Sequence, residues 1–167
     1  DFLIDENKIE EKITDKTKAI IPVYIAGAIC NLDKIMEIAQ KHNLIVIEDA
    51  CQALGAKGLG RGLTTCFSHY PAKILGAYGD AGSVCTNNQE IADKIRLLRN
   101  HCGGNDYGYN SRLDNVQAAI LNIKFKYLKG WLKRRKEIAR MYDKGLKDIQ
   151  GINLPIKRNC YQDYIIT

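Results

Sequence analysis

Apolar positions along the chain follow two rhythms. Ala19 to Ile25 is an apolar, β-branched run and predicts a strand. Pro22 inside it marks an end or a bulge, because proline cannot donate to a ladder. Gly27 ends the run. From Leu32 to His42 the period lengthens, and Ile35, Met36, Ile38 and Ala39 form the stripe of an amphipathic helix, capped by Asn31 or Asp33. Leu44 to Ile47 predicts a second strand, running into two carboxylates, Glu48 and Asp49. Strand–helix–strand predicts a parallel pair with a right-handed crossover, the unit of a layered α/β domain. A short helix over Asn7–Ile13 and a polar turn over Thr14–Thr17 precede it.

Beyond Asp49 the pattern predicts a helix starting at Ala50 and giving way by Gly55 to a glycine-rich loop ending at Gly62. Leu63–Ser68 and Gly82–Thr86 read as the third and fourth strands. Gln89–Asn100 reads as an amphipathic helix with Ile91, Ile95 and Leu98 inward and Arg96 and Arg99 towards its C-terminal end, where positive charge is favoured. Cys102–Gly108 is a loop. Leu113–Asp148 is helical throughout, as two helices meeting near Gly130. Their apolar face is Val116, Ala119, Ile120, Ile123, Trp131, Ile138, Ala139, Tyr142 and Leu146. Strand character returns from Ile152.

Composition narrows the class. The 167 residues are 46% hydrophobic, which suits one globular domain with a real core. The net charge of +6 is too diffuse to define a substrate. Seven basic residues and no acid lie between Lys124 and Lys136. They share a helix with the apolar stripe and match no reader motif, so they read as a solvated face, with no nucleic acid partner. No apolar run approaches the roughly 18 residues of a membrane span. The six cysteines form no C-x-x-C pair, and Cys30, Cys66 and Cys85 lie among apolar residues. They read as reduced packing residues of a cytoplasmic protein. The three histidines lack metal-ligand spacing, so no metal is expected. The first residue is Asp1 rather than Met, and the expectation is of a missing start.

The candidate chemistry lies between Phe67 and Gly82, F-S-H-Y-P-A-K-I-L-G-A-Y-G-D-A-G. Lys73 stands in mostly uncharged surroundings, five residues after Ser68. Strand ends of an open α/β sheet are where ligands bind, which joins Asp49 to the same site. A lysine amine with a pKa of about 10.4 in water becomes a nucleophile towards aldehydes when desolvated. Pyridoxal phosphate chemistry needs such an amine, a carboxylate for its pyridine nitrogen, and hydroxyl and backbone N–H donors for its phosphate. Lys73, Asp49 and Ser68 match those needs. Other readings stand beside this one. Asp49-x-x-Gln52 is also a capping box opening a helix. A lone lysine is commonly solvated, and a lone serine commonly bonds backbone. Gly76, Gly79 and Gly82 read as tight turns around the lysine, without the context of a dinucleotide fingerprint. His69 reads as a structural or polar neighbour of Lys73.

Three stretches carry a resemblance: I-E-D-A-C-Q-A-L-G-A, C-F-S-H-Y-P-A-K-I-L-G-A-Y-G-D-A-G-S-V and G-Y-N-S-R-L-D-N-V-Q-A-A-I-L. In this order, from about Ile9 to Tyr164, the chain resembles the DegT/StrS-type nucleotide-sugar aminotransferases. The resemblance implies an α/β fold, the large domain of the aspartate aminotransferase type (fold type I), with a mostly parallel sheet, flanking helices, and incomplete. It implies residues 1–148 in that domain and 149–167 opening a small C-terminal one. It implies pyridoxal 5'-phosphate as cofactor, with Lys73 as the Schiff-base lysine, Asp49 at the pyridine nitrogen, Gln52 against the ring and Ser68 at the phosphate. Asn110 is implied to reach the cofactor of a neighbouring subunit in a homodimer. The implied reaction moves an amino group from glutamate or glutamine to a keto sugar on a nucleotide. Relatives that dehydrate sugars carry histidine where Lys73 stands, so amino transfer is expected. The loops at 55–62 and 102–108 are shorter than the family's, which touches substrate recognition first. The family's earlier helix and its phosphate-binding turn have no counterpart before Ile9. Two other readings are a truncated, non-catalytic relative serving as a binding or assembly module, and a DNA-binding regulator using the basic run.

Overall fold

The computed structural model describes residues 2–104 and 106–154. Four strands form one sheet in chain order: β1 (Ala19–Ile20), β2 (Ile45–Asp49), β3 (Thr64–Ser68) and β4 (Gly82–Cys85). β1 and β2 pair in parallel, with Ala19 opposite Ile45. β2 and β3 also run parallel, with Asp49 opposite Cys66, whereas β4 returns antiparallel to β3 with Gly82 opposite Ser68. The expected strand over Ala19–Ile25 is cut short at Pro22, for the reason the sequence supplies. Pro22 has no N–H, but its carbonyl accepts from Asp49 N–H at 3.0 Å, and one further bridge joins Val23 to Asp49. The chain then turns through Ile25–Gly27, where Ala26 adopts a φ of 53°.

Helix α1 (Leu32–Lys41) makes the crossover from β1 to β2. Its cap is Asn31, whose side chain accepts from Lys34 N–H, while Asp33 pairs with Arg61. Of the predicted stripe Ile35, Ile38 and Ala39 are buried and Met36 is half-buried, and Leu32 is buried beside them. With Ile9, Ile20, Tyr24, Val46 and Ala53 they form the larger core. A smaller core gathers Ile74, Leu75 and Ala77 of the lysine loop with Leu121 and Leu128 of two later helices.

Several expectations change in the structure. Residues 7–13 form no α-helix but two 3-10 turns, Glu6–Lys8 and Glu10–Lys12. So short a segment does not repay helix nucleation. No helix follows Ala50. Asp49 N–H donates to Pro22 O and Ala50 N–H to Cys66 O, so parallel pairing keeps the backbone extended through Ala50, and the chain runs on in turns. The long helical region breaks at Lys126 and Tyr127 rather than at Gly130, giving α3 (Asn115–Phe125) and α4 (Leu128–Leu146). Gly130 lies within α4. Helix α2 (Gln89–Leu98) has Ile91, Ile95 and Leu98 sheltered but only half-buried. Cys85, expected in packing, is exposed, while Cys30 and Cys102 are buried. Residues 152–154 carry no strand, and the rest of the strand character expected from Ile152 lies outside the described residues. Among the described residues no helix is long and apolar enough to cross a membrane.

Candidate active site

Two parallel strands ending side by side deliver the first two functional groups. Asp49 closes β2 and Ser68 closes β3, on the same edge of the sheet, and both are half-buried. The adjacent Glu48, one residue earlier, points its side chain elsewhere because successive side chains of a strand alternate in direction. Its carboxylate is wholly buried and accepts from Tyr24 Oη at 2.9 Å, from the backbone N–H groups of Gly60, Arg61 and Gly62, and from Thr65 Oγ1. The two acids that looked alike in sequence thus separate. Glu48 fastens the glycine-rich loop to the sheet, and Asp49 is left at the edge. Burial first, then the Glu48 charge, pushes the Tyr24 phenol far above its ordinary range.

Asp49 is oriented locally. Its Oδ1 accepts from Cys51 N–H at 3.0 Å, a turn in which the side chain takes the place of a backbone carbonyl. Gln52 Oε1 accepts from Ala26 N–H at 2.7 Å. The capping box therefore does not form; Gln52 instead ties the turn after Asp49 to the turn at Ala26.

Lys73 follows Ser68 on a short loop, half-buried, with its N–H bonded to Tyr70 O at 2.8 Å. The loop is tight at Gly76, where a Cβ would sit 2.4 Å from Pro71 O. Ile74 and Leu75 are buried against α3 and α4, and Gln117 Oε1 accepts from Tyr78 N–H at 2.8 Å. Lys124 Nζ reaches Gly76 O and lies 5.4 Å from the Tyr78 ring centre. So α3 holds the loop on one side. Gln117 and Lys124 lie 39 and 48 residues from their partners, a separation no local pattern can announce.

The pKa of the Cys51 thiol is pushed up to about 11, by burial first, then by its hydrogen bond to Asp49 and the Asp49 charge, while the Lys73 charge pulls the other way. Asp49 and Ser68 end the adjoining parallel strands β2 and β3, Lys73 follows Ser68 on the loop, and Gln52 lies one turn beyond Asp49. Asn110 is exposed, in a bridge with Asn100 that closes the loop after α2. Two cavities, of about 670 and 370 Å³, lie elsewhere, one beside α1, Arg61 and Leu63, the other between residues 4–13 and β1.

Comparison with known proteins gives this arrangement a context. The model of the DegT/DnrJ/EryC1/StrS aminotransferase family matches residues 1–165. The chain is 44% identical over 160 residues to a pleiotropic regulatory protein of Geobacillus stearothermophilus, covering 90% of this chain and 43% of that one. It is 47% identical over 164 residues to dTDP-3-amino-3,6-dideoxy-alpha-D-galactopyranose transaminase of Aneurinibacillus thermoaerophilus, covering 92% and 45%. Among solved structures, DesV of S. venezuelae, in complex with a ketimine intermediate, superposes with a TM-score of 0.93 at 37% identity, over 98% of this chain and 47% of that one. NtdA of Bacillus subtilis, with bound cofactor PMP, gives 0.82 at 38% identity, over 89% and 36%. The chain spans less than half the length of these relatives. Its mostly parallel four-stranded sheet and helices form part of that aminotransferase fold.

Proposed function

From the premise that the chain belongs to the DegT/DnrJ/EryC1/StrS aminotransferase family, we propose that the whole protein transfers an amino group to a keto sugar carried on a nucleotide. The transaminase of Aneurinibacillus thermoaerophilus, named for such a sugar, supports the substrate class. Glutamate or glutamine is the proposed amino donor, a homodimer the proposed assembly, and the cytoplasm the proposed location. Residues 1–148 belong to the large domain in this reading, and 149–167 open a smaller one.

The proposed cofactor is pyridoxal 5'-phosphate, and the donor set at the sheet edge fits it. A carboxylate and a hydroxyl stand at the neighbouring ends of β2 and β3, and the lysine follows on the loop five residues beyond the hydroxyl. When bound, the cofactor supplies an electron sink for the carbon losing its proton. Asp49 would hold a proton on the pyridine nitrogen, and the Cys51 N–H bond to one of its oxygens supports that role. Gln52 borders the ring and Ser68 donates to the phosphate. Lys73 would anchor the cofactor through its amine and, when free, would move a proton between the donor carbon and the cofactor. Asn110, apart from this group, is assigned to the cofactor of the neighbouring subunit.

The observation that carries the reading is the delivery of Asp49 and Ser68 to the adjoining ends of parallel strands β2 and β3, with Lys73 on the tight loop that follows. Borohydride reduction of the full-length protein with pyridoxal phosphate, followed by peptide mapping, tests it. The expected result is one modified peptide, carrying the label on Lys73, that disappears in Lys73→Ala. Label on other lysines with none on Lys73 overturns the assignment.

A further inference from the structure

The sequence singles out His69 only as a neighbour of Lys73, and nothing proposed above uses it. Its position in the structure is specific. The side chain is 7% exposed, and both ring nitrogens have partners. Nδ1 lies 3.1 Å from Leu75 O, and Nε2 lies 2.9 Å from Ser83 Oγ. A carbonyl only accepts, so Nδ1 carries the proton, and Nε2 can then accept from the serine hydroxyl. Its main chain adds two bonds in the same direction: His69 N–H donates to Ala81 O and Ala77 N–H donates to His69 O, each at 2.8 Å. All four partners belong to 75–83, the segment just beyond Lys73. The residue closes the lysine loop at its base.

We propose that His69 is a positioning residue for Lys73: its imidazole spans from the end of β3 to Leu75 and Ser83 and sets the height of the loop from which the amine reaches the sheet edge. This rests on the assignment of Lys73 made above. The Leu75 carbonyl is two residues past the lysine, in a loop whose turn at Gly76 tolerates no added Cβ. Holding that carbonyl from below and Gly76 O from α3 through Lys124 leaves the loop little freedom to drift. A side chain of the same bulk without nitrogen atoms would fill the space and hold neither partner. That separates positioning from mere filling of the core.

The test uses the full-length protein and three variants: His69→Phe, His69→Gln and Ser83→Ala. Without cofactor, amide exchange over 72–77 is expected to quicken about tenfold in His69→Phe, the loss of one to two ordinary hydrogen bonds, with a melting temperature within about 3 °C of wild type. His69→Gln, which can still donate, is expected to recover part of the protection. With subsaturating pyridoxal phosphate, the fraction of Lys73 trapped by borohydride is expected to fall about tenfold in His69→Phe and the pH midpoint of the cofactor absorbance band to move. Unchanged exchange and unchanged trapping in a folded His69→Phe overturn the proposal, because they show that bulk alone suffices. Should His69→Phe not fold, Ser83→Ala decides, since it removes one bond at an exposed position. About threefold faster exchange over 72–77 supports the proposal and no change overturns it. Absent trapping in wild type, with exchange still accelerated in His69→Phe, overturns the cofactor assignment while supporting the positioning of Lys73.

Discussion

The region from Ile9 to Ala53 and the region from Gln89 to Leu146 are written in the same amphipathic code, yet only the first hides its apolar residues. Twelve buried side chains of the larger core lie between Ile9 and Ala53, with Tyr24 and Ile35 fully enclosed. Helix α2 has no buried residue, and α3 and α4 have one each, Leu121 and Leu128. Val116 is 68% exposed and Met141 64%. The difference is one of partners. Helix α1 lies on the sheet made by the strands it connects, so its stripe meets β1 and β2 directly. Helices α3 and α4 meet the lysine loop along one narrow seam, through Leu121, Leu128, Ile74 and Leu75. An apolar face is a property of a segment, whereas burial is a property of two segments.

The sharpest test of that contrast is Glu48→Ala. Removing this carboxylate leaves Tyr24 Oη and the loop N–H groups of residues 60–62 without their acceptor inside the first region. A loss of about 3–5 kcal/mol is expected on chemical denaturation, against a change within about 0.5 kcal/mol for Val116→Ala on the exposed face of α3. Equal losses would break the comparison.

Next come two caps of the same kind. Asn31 accepts from Lys34 N–H at the start of α1, and Asn88 accepts from Ile91 N–H at the start of α2. Asn31→Ala is expected to lower global stability by about 1 kcal/mol. Asn88→Ala is expected to leave the global midpoint nearly unchanged and to quicken amide exchange only at the start of α2. A matched fall in the midpoint for both would show that the regions unfold as one unit.

The smallest effect belongs to Glu10, which ties the N-terminal turns to the end of α1. Its carboxylate accepts from Lys41 Nζ and lies against His42 Nε2, each at 2.7 Å. The Lys41 hydrogen bond first, and that to His42 next, pull its pKa from 4.5 down to about 2. A depressed carboxylate contributes stability that is present above its ordinary pKa and lost as pH falls through the folded value. The loss therefore falls between pH 4.5 and about 2. Glu10 is exposed, so the slope is expected to be shallow, and Glu10→Gln should flatten it. A carboxyl resonance titrating at 4.5 in the folded protein would show the contact to be idle.

The legible parts of the site are those carried by short-range pattern. The apolar run ending in Glu48 and Asp49 announced a strand and an acid at its tip, and β2 ends at Asp49. Pro71 and the glycines after Lys73 announced a tight loop, and Gly76 leaves no room for a Cβ. What was hidden depends on distance along the chain. No spacing rule distinguishes Glu48, wrapped by a loop 12 to 14 residues later, from its neighbour Asp49. The helix expected after Ala50 failed for the same reason: parallel pairing with Cys66 and Pro22 keeps the backbone extended through Ala50, and Gln52 ties the following turn to Ala26.

By itself, then, the order of residues determined where chain direction changes, which faces are apolar, which chemical groups stand near the ends of strands, and through its motifs the family. These follow from local backbone preference and from the two side-chain periods. The fold in three dimensions decided which carboxylate is anchor and which is edge group, that His69 closes the lysine loop, and which apolar faces find cover. Those outcomes depend on which groups distant in sequence meet, and a hydrogen bond or a buried surface exists only once both partners are in place.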